Sequence, residues 1–306
     1  PVSVAAADFN GDGRPDLALP VIINRTTLGA DGEVSILLGR DDGSFDPAIQ
    51  FEVGGSPNSV AVGDFNRDGR LDLAVPITRT LASGGVSILL GRGDGTFDPE
   101  ASYDAGAPPG YSVAVADFNH DGRSDLALVN LDEGVSVLLG RGDGSFGPPA
   151  IVETGRSPAY LAIGDLNRDG REDLAVTVTY PDGLLVLLGR GNGTFGPPAS
   201  YGAGAFGAIA VKDLDGDGRL DLALANRSGA VSILPGRGDG TFGTQASYLA
   251  GAGPSALAVG QLNGDRKPDI VVINSESDDA WVLLNQAQFP AGFASQGAFG
   301  MPRPRP

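Results

Sequence analysis

With 306 residues and 41% hydrophobic content the chain can bury a sizeable core, and its 48 glycines and 22 prolines point to short strands and tight turns rather than helices. The lack of cysteine excludes disulfides and thiolate metal sites, and a single histidine excludes imidazole clusters. A net charge of −17 argues against a nucleic-acid partner, and no apolar stretch is long enough to predict membrane insertion.

Read from the N-terminus, the chain enters a strand pattern directly at Pro1, so a leader or upstream segment is expected to have been removed or omitted, as in a secreted or cell-surface protein. An acidic loop begins at Asp8, and its first position recurs at Asp64, Asp117, Asp165, Asp213 and Gln261, a period of about 50 residues. Every copy has the same elements in the same order. In the second copy these are an alternating run over 59–63, the acidic loop, a second run over 71–75, a variable loop and a third run over 86–90. A turn, Gly91-Arg92-Gly93-Asp94-Gly95-Thr96-Phe97, then signals a hairpin into a fourth strand, and close versions stand at 39–45, 140–146, 189–195 and 236–242. Four short antiparallel strands per unit predict an all-β chain of the β-propeller class, built from four-stranded blades. Six blades are expected, or seven if a further copy lies upstream. They form one domain over 1–299, with blades near 1–55, 56–109, 110–156, 157–204, 205–252 and 253–299, followed by a Pro/Arg tail over 300–306. Phe9, Phe65, Phe118, Leu166, Leu214 and Leu262 in the loops, and Phe45, Phe97, Phe146, Phe195 and Phe242 after the turns, are assigned to packing.

In the first loop, Asp8, Asn10, Asp12 and Asp16 place side-chain oxygens at positions one, three, five and nine. Gly13 at position six permits a sharp turn, and the Arg14 carbonyl at position seven adds a ligand. Calcium accepts six to eight such oxygens at about 2.3–2.6 Å, whereas magnesium retains more water. The same set recurs as Asp64, Asn66, Asp68, Arg70 and Asp72; as Asp117, Asn119, Asp121, Arg123 and Asp125; and as Asp165, Asn167, Asp169, Arg171 and Asp173. The fifth set is Asp213, Asp215, Asp217, Arg219 and Asp221. One such cluster is often only a turn, but five copies favour calcium, with about five ions bound. The twelfth position is Leu19 rather than glutamate and strand patterns flank the loop, which excludes an EF-hand. In the sixth copy Gln261 replaces the first aspartate and Arg266 the turn glycine, so a degenerate site is expected there although Asn263, Asp265 and Asp269 remain.

The Asp-x-Asn-x-Asp-Gly-x-x-Asp loop and the Leu-Ala-Val strand after it resemble the FG-GAP/VCBS repeats of integrin α-subunit propellers and of many secreted bacterial proteins, over about residues 1–285. The resemblance implies a propeller in which the loop joins the first two strands of each blade and binds calcium.

Alternating strand direction puts the acidic loops and the glycine-rich turns at one end of each blade, and the second-to-third-strand loops at the other. The latter, at 24–33, 78–85, 130–134, 179–183, 226–229 and 274–280, differ from copy to copy and form the candidate ligand face. The Arg-Gly-Asp triplets at 92–94, 141–143 and 237–239 are attributed to turn chemistry, and His120, at position four of its loop, to a solvated side chain. Glycan acceptor sequons stand at Asn24, Asn192 and Asn226. Residues 286–299, with Phe289, Phe293 and Phe299, are read either as the last outer strand or as a segment for self-association over 286–306. With no second histidine or cysteine to complete a nucleophile–base pair, and the patterned aspartates committed to metal, a non-catalytic protein is expected. It is read as an extracellular recognition or adhesion module for a protein or carbohydrate, the alternatives being a structural subunit and, last, a polysaccharide-acting enzyme.

Overall fold

The computed structural model describes residues 3–23, 32–80, 83–131, 134–155, 157–179, 182–202, 204, 206–286 and 293–300. The first sheet is β1 (Ala5–Ala7), β2 (Asp16–Ile22), β3 (Gly32–Leu37) and β4 (Ile49–Glu52). In the second, the first strand is split into β5 (Ser56–Pro57) and β6 (Ala61–Gly63), both paired with β7 (Asp72–Thr80), and β8 (Ser83–Leu89) and β9 (Ala101–Asp104) follow. The third is β10 (Pro109–Ala116), β11 (Asp125–Asn130), β12 (Gly134–Leu138) and β13 (Ala150–Val152). The fourth is β14 (Pro158–Gly164), β15 (Asp173–Thr179), β16 (Asp182–Leu187) and β17 (Ala199–Tyr201). The fifth is β18 (Phe206–Lys212), β19 (Asp221–Asn226), β20 (Ala230–Leu234) and β21 (Ala246–Leu249). The sixth is β22 (Pro254–Gly260), β23 (Asp269–Asn274), β24 (Asp279–Asn285) and β25 (Phe293–Gly300). Apart from β5 and β6, which share β7, strands adjacent in sequence are adjacent in each sheet, and the fold is all-β, of the β-propeller class. Residues 293–300 supply the last outer strand in place of the missing turn motif.

The strand sequences explain the order within each sheet. The two middle strands are nearly continuous apolar runs and are covered on both faces, as β11 and β12 are throughout their length. The fourth strands alternate between half-buried and exposed positions, as in β4 and β21, which suits an outer edge. No helix among the described residues is long and apolar enough to cross a membrane.

The chain divides into two compact units, Pro1–Pro158 with Gly191–Thr194, and Ala159–Arg190 with Phe195–Pro306. In the first unit, Phe9, Val34 and Ile36 meet Leu73, Val75, Ile77 and Phe97 in one core between sheets one and two. A second core joins Phe65, Val86 and Ile88 to Leu126, Leu128, Leu138 and Phe146. The second unit repeats this with Leu166, Leu184 and Val186 against Leu222, Leu224 and Phe242, and with Leu214, Val231 and Ile233 against Ile270, Val272 and Phe293. Most of each sheet's apolar burial therefore lies between sheets, as expected where one repeat cannot cover its own faces.

Candidate functional site

Each acidic loop is organised around its first carboxylate. Asp8 Oδ1 accepts the amides of Gly11 at 2.8 Å and Asp12 at 3.1 Å, and its Oδ2 accepts that of Gly13 at 2.7 Å. Asn10 Nδ2 donates to Asp12 Oδ2 at 2.8 Å, while Asp12 Oδ1 accepts the Arg14 amide at 2.9 Å and Oδ2 also pairs with the Arg14 guanidinium. Loops two, three and four repeat this through Asp64, Asn66, Asp68 and Arg70, through Asp117, Asn119, Asp121 and Arg123, and through Asp165, Asn167, Asp169 and Arg171. Positions four and six are left-handed: φ is 57° at His120 and 78° at Gly122. His120 is exposed, as its sequence position predicts.

The ninth residue has a role that the sequence reading missed. Asp16 is fully buried, and its two oxygens accept the amides of Phe9 at 2.8 Å and Gly39 at 2.7 Å. It therefore clasps the acidic loop to the glycine-rich turn of the same sheet, and it places loop and turn at one end. Asp72 does the same for Phe65 and Gly91, Asp125 for Phe118 and Gly140, and Asp173 for Leu166 and Gly189. Asp221 clasps Leu214 to Gly236, and Asp269 clasps Leu262 to Asn285. The available signal was that Asp269 persists in the copy whose first aspartate and turn glycine are replaced.

Burial pushes the carboxyls of Asp125, Asp173 and Asp221 up to about 6 against the pull of their amide donors, with neighbouring loop aspartates adding to the rise. Asp72 is raised by the same burial. A buried carboxylate next to two others is short of positive charge, which is the condition a cation relieves. Among the described residues, carboxylate oxygens converge to within 4.8 Å of one another in the fifth loop, at Asp213, Asp215 and Asp221. There Asp215 replaces the asparagine whose amide, in the other loops, donates to the position-five aspartate. Asp217 meanwhile accepts the Arg219 amide at 2.8 Å and pairs with its guanidinium. Each Asp221 oxygen accepts only one amide and keeps a free lone pair, so this donor set fits a hard divalent ion.

In the sixth loop the Gln261 side-chain amide is assigned with its oxygen toward the loop, the orientation in which that oxygen accepts the amides of Gly264, Asp265 and Arg266 at 3.2, 2.9 and 2.6 Å. The loop keeps its shape without the charge. The Arg-Gly-Asp aspartates are engaged locally: Asp94 Oδ1 accepts both the amide and the hydroxyl of Thr96, and Asp143 and Asp239 do the same with Ser145 and Thr241. Those hydroxyl bonds, with the backbone amide, hold the three carboxyls below their ordinary range. Asn192 makes the same turn with Thr194, and Asn226 with Ser228. Asn24, Phe289, residues 24–31 and 81–82 of the first two variable loops, and the tail beyond Gly300 lie outside the described residues.

At the opposite end of the second unit, the variable loops frame a cavity of about 410 Å³ lined by Arg227, Ser228, Leu249, Gly251, Glu276 and Trp281. A neighbouring cavity of about 260 Å³ shares Arg227 and Glu276 and adds Tyr160, Ser255 and Ser275. Trp281 Nε1 donates to Asp279 Oδ2 at 3.3 Å, and Asp279 is itself held by Asn274 and Ser277. Gly251 is required there, since a Cβ would stand 2.8 Å from the Trp281 indole nitrogen and 2.4 Å from Asn274 Nδ2.

Strand-loop-strand units with a carboxylate clasp define a repeat propeller of the acidic-loop class. The chain belongs to the FG-GAP repeat family: FG-GAP-like repeats match residues 21–75, 79–128, 117–176, 165–222 and 213–272, and an FG-GAP repeat matches 1–37. No curated protein sequence matches it. Among solved structures, the Pseudomonas aeruginosa periplasmic gluconolactonase is similar at a TM-score of 0.70 and 20% identity, covering 98% of this chain and 84% of that one. A Bacteroides uniformis protein assigned as a 6-phosphogluconolactonase is similar at 0.72 and 13% identity, over 97% and 84%. BBS1N, solved in complex with ARL6DN, is similar at 0.62 and 14% identity, over 98% and 82%. These likenesses establish the fold. They also correct the expectation of a non-catalytic chain, because lactonases use the same fold and carboxylates alone can serve hydrolysis, so the lack of a histidine or cysteine pair excludes nothing.

Proposed function

We propose that this chain is a calcium-binding recognition module of the extracellular or periplasmic space, which takes a carbohydrate at the variable face of its second unit. The observation that carries the reading is the cavity at Trp281: a pinned indole beside Arg227 and Glu276. Sugars present flat C–H faces that an aromatic ring accepts, and rim hydroxyls that a guanidinium and a carboxylate bind. The exposed Leu249 on the same rim favours a protein ligand as the second reading.

In this reading calcium shapes the other end. Asp213, Asp215, Asp217 and Asp221, with the Arg219 carbonyl, hold the best-prepared ion, and loops one to four bind when their asparagine and position-five aspartate turn inward. The ions supply charge neutralisation, offsetting more than half of the net charge of −17 if five bind.

A glycan array probed with the calcium-loaded protein, followed by a hydrolysis screen on the hits, tests the reading. Binding should be lost in Trp281→Ala and weakened in Arg227→Ala, with the fold intact by circular dichroism. Glycan binding undiminished in Trp281→Ala refutes the site; turnover of a bound glycan makes the module an enzyme.

A further inference from the structure

The two cavities of the second unit share one wall, and that wall carries the charge. Arg227 stands in the loop between β19 and β20, Glu276 in the loop between β23 and β24, and both line both cavities. Neither side chain has an ion pair or hydrogen-bond partner among the described residues. Their loops are nevertheless fixed through the backbone. The Asn226 carbonyl accepts the Gly229 amide at 3.0 Å, and the amides of Ser275 and Glu276 donate to the Gly253 and Ala252 carbonyls at 2.9 and 3.3 Å. Two unpaired charges on ordered loops lower the cost of fixing a ligand between them.

On either side of that wall the chemistry differs. The cavity of about 410 Å³ offers apolar surface, from Trp281 and Leu249. The cavity of about 260 Å³ is lined by hydroxyls, and two of these have their hydrogens committed: Ser255 Oγ donates to the Ile273 carbonyl at 3.2 Å and Ser275 Oγ to the Gly253 carbonyl at 3.1 Å. A hydroxyl whose one hydrogen lies on a carbonyl meets a ligand as an acceptor, so both oxygens, like the Glu276 carboxylate, offer lone pairs. Arg227 supplies the charged donor. Trp281 on β24 and Ser255 on β22 stand two strand spacings apart in one sheet, about 10 Å. A single sugar ring does not reach both, whereas two linked rings do.

We infer that the ligand of this site is a neutral linear glycan of at least two pyranose rings, one stacked on Trp281 and the next lying in the cavity of Ser255 and Ser275, with Arg227 and Glu276 beside the linkage. The inference rests on the carbohydrate reading above and adds to it a charge, a minimum length and a second subsite. Sugar hydroxyls both donate and accept, so they satisfy Ser255, Ser275 and Glu276 while accepting from Arg227. An ionised uronate or phosphate has only acceptors and would set them against three more. An amino sugar would place its ammonium beside the Arg227 guanidinium. The net charge of −17 further opposes the approach of an anionic chain.

Isothermal titration of the calcium-loaded protein tests this, with homo-oligomers of glucose, galactose, mannose, N-acetylglucosamine, galacturonic acid and glucosamine from one ring to three. A neutral series should gain about tenfold or more in affinity between one ring and two, the increment that one or two added hydrogen bonds supply. The double variant Ser255→Ala/Ser275→Ala should abolish that gain and leave the affinity for a single ring unchanged, whereas Trp281→Ala should lose both, each with unchanged circular dichroism. Equal affinity for one ring and two, a gain that survives the double variant, or binding confined to the galacturonic acid or glucosamine series overturns this inference while the Trp281 site stands. No sugar bound at any length removes the carbohydrate reading, and this inference with it.

Discussion

The position-nine aspartate and its loop neighbours differ in what they hold. Asp269 gathers two amides, at Leu262 and Asn285, in the loop with the poorest ligand set. Its replacement in Asp269→Ala strands the buried Asn285 amide and loosens the part-buried Leu262 amide, at a cost of about 2 kcal/mol. Urea unfolding in chelator measures this; a change under about 1 kcal/mol would contradict the clasp. Asp217→Asn in the fifth loop should behave oppositely. The amide keeps an acceptor for the Arg219 backbone and sacrifices only an exposed ion pair, so metal-free stability should move by less than about 1 kcal/mol. Calcium affinity of that loop should fall at least tenfold by titration with terbium luminescence, the loss expected when one charged ligand is removed. Equal damage from both substitutions would remove the division between clasp and ligand.

The loops and turns, taken as elements, titrate in two directions. Asp125, Asp173 and Asp221 have carboxyls near 6 in the folded chain and near 3.9 when unfolded. Between those values the unfolded chain has released protons that the folded chain retains, so this contribution is full below about pH 4 and is lost as pH rises through 6. The turn carboxyls of Asp42, Asp94, Asp143 and Asp239 are held low by their Ser and Thr hydroxyls, and their contribution disappears as pH falls through their own range. The chelated protein should therefore have its highest melting temperature near pH 4–5 and a lower one at pH 7, by scanning calorimetry. Saturating calcium should reverse the slope, since the ion needs the deprotonated oxygens. A chelated melting temperature that climbs steadily to pH 7 would show that burial does not hold those protons.

For the whole molecule, repetition decides what could be read from sequence. Six copies of one loop and five of one turn gave the strand order, the ends at which loop and turn stand, and the packing role of Phe97 or Leu214, because each position was seen several times. Single residues gave no such signal. Trp281 stands at the strand position that carries Ser87, Ser136 and Ser232 in other copies, and only the structure brings it against Gly251 and Asp279. Phe293 and Asn285 replace a turn motif with residues at a different spacing, which no comparison of copies could align. The convergence of three carboxylates in the fifth loop depends on one Asn-to-Asp difference at Asp215. What repeats also adds up: the acidic loops account for about half of the 38 acidic residues, all crowded at one end of their sheets. Removing bound calcium should thus lower the melting temperature through a repulsion shared among loops, in addition to about 2.7 kcal/mol for each site held at a hundredfold over its dissociation constant. Repulsion is screened by salt whereas site occupancy is not restored by it, so raising sodium chloride from 10 mM to 1 M should recover part of the loss in the chelated protein. Melting curves at the two ionic strengths, with and without chelator, separate the contributions. A loss on chelation that is independent of salt would assign the whole effect to the individual sites and none to the accumulated charge.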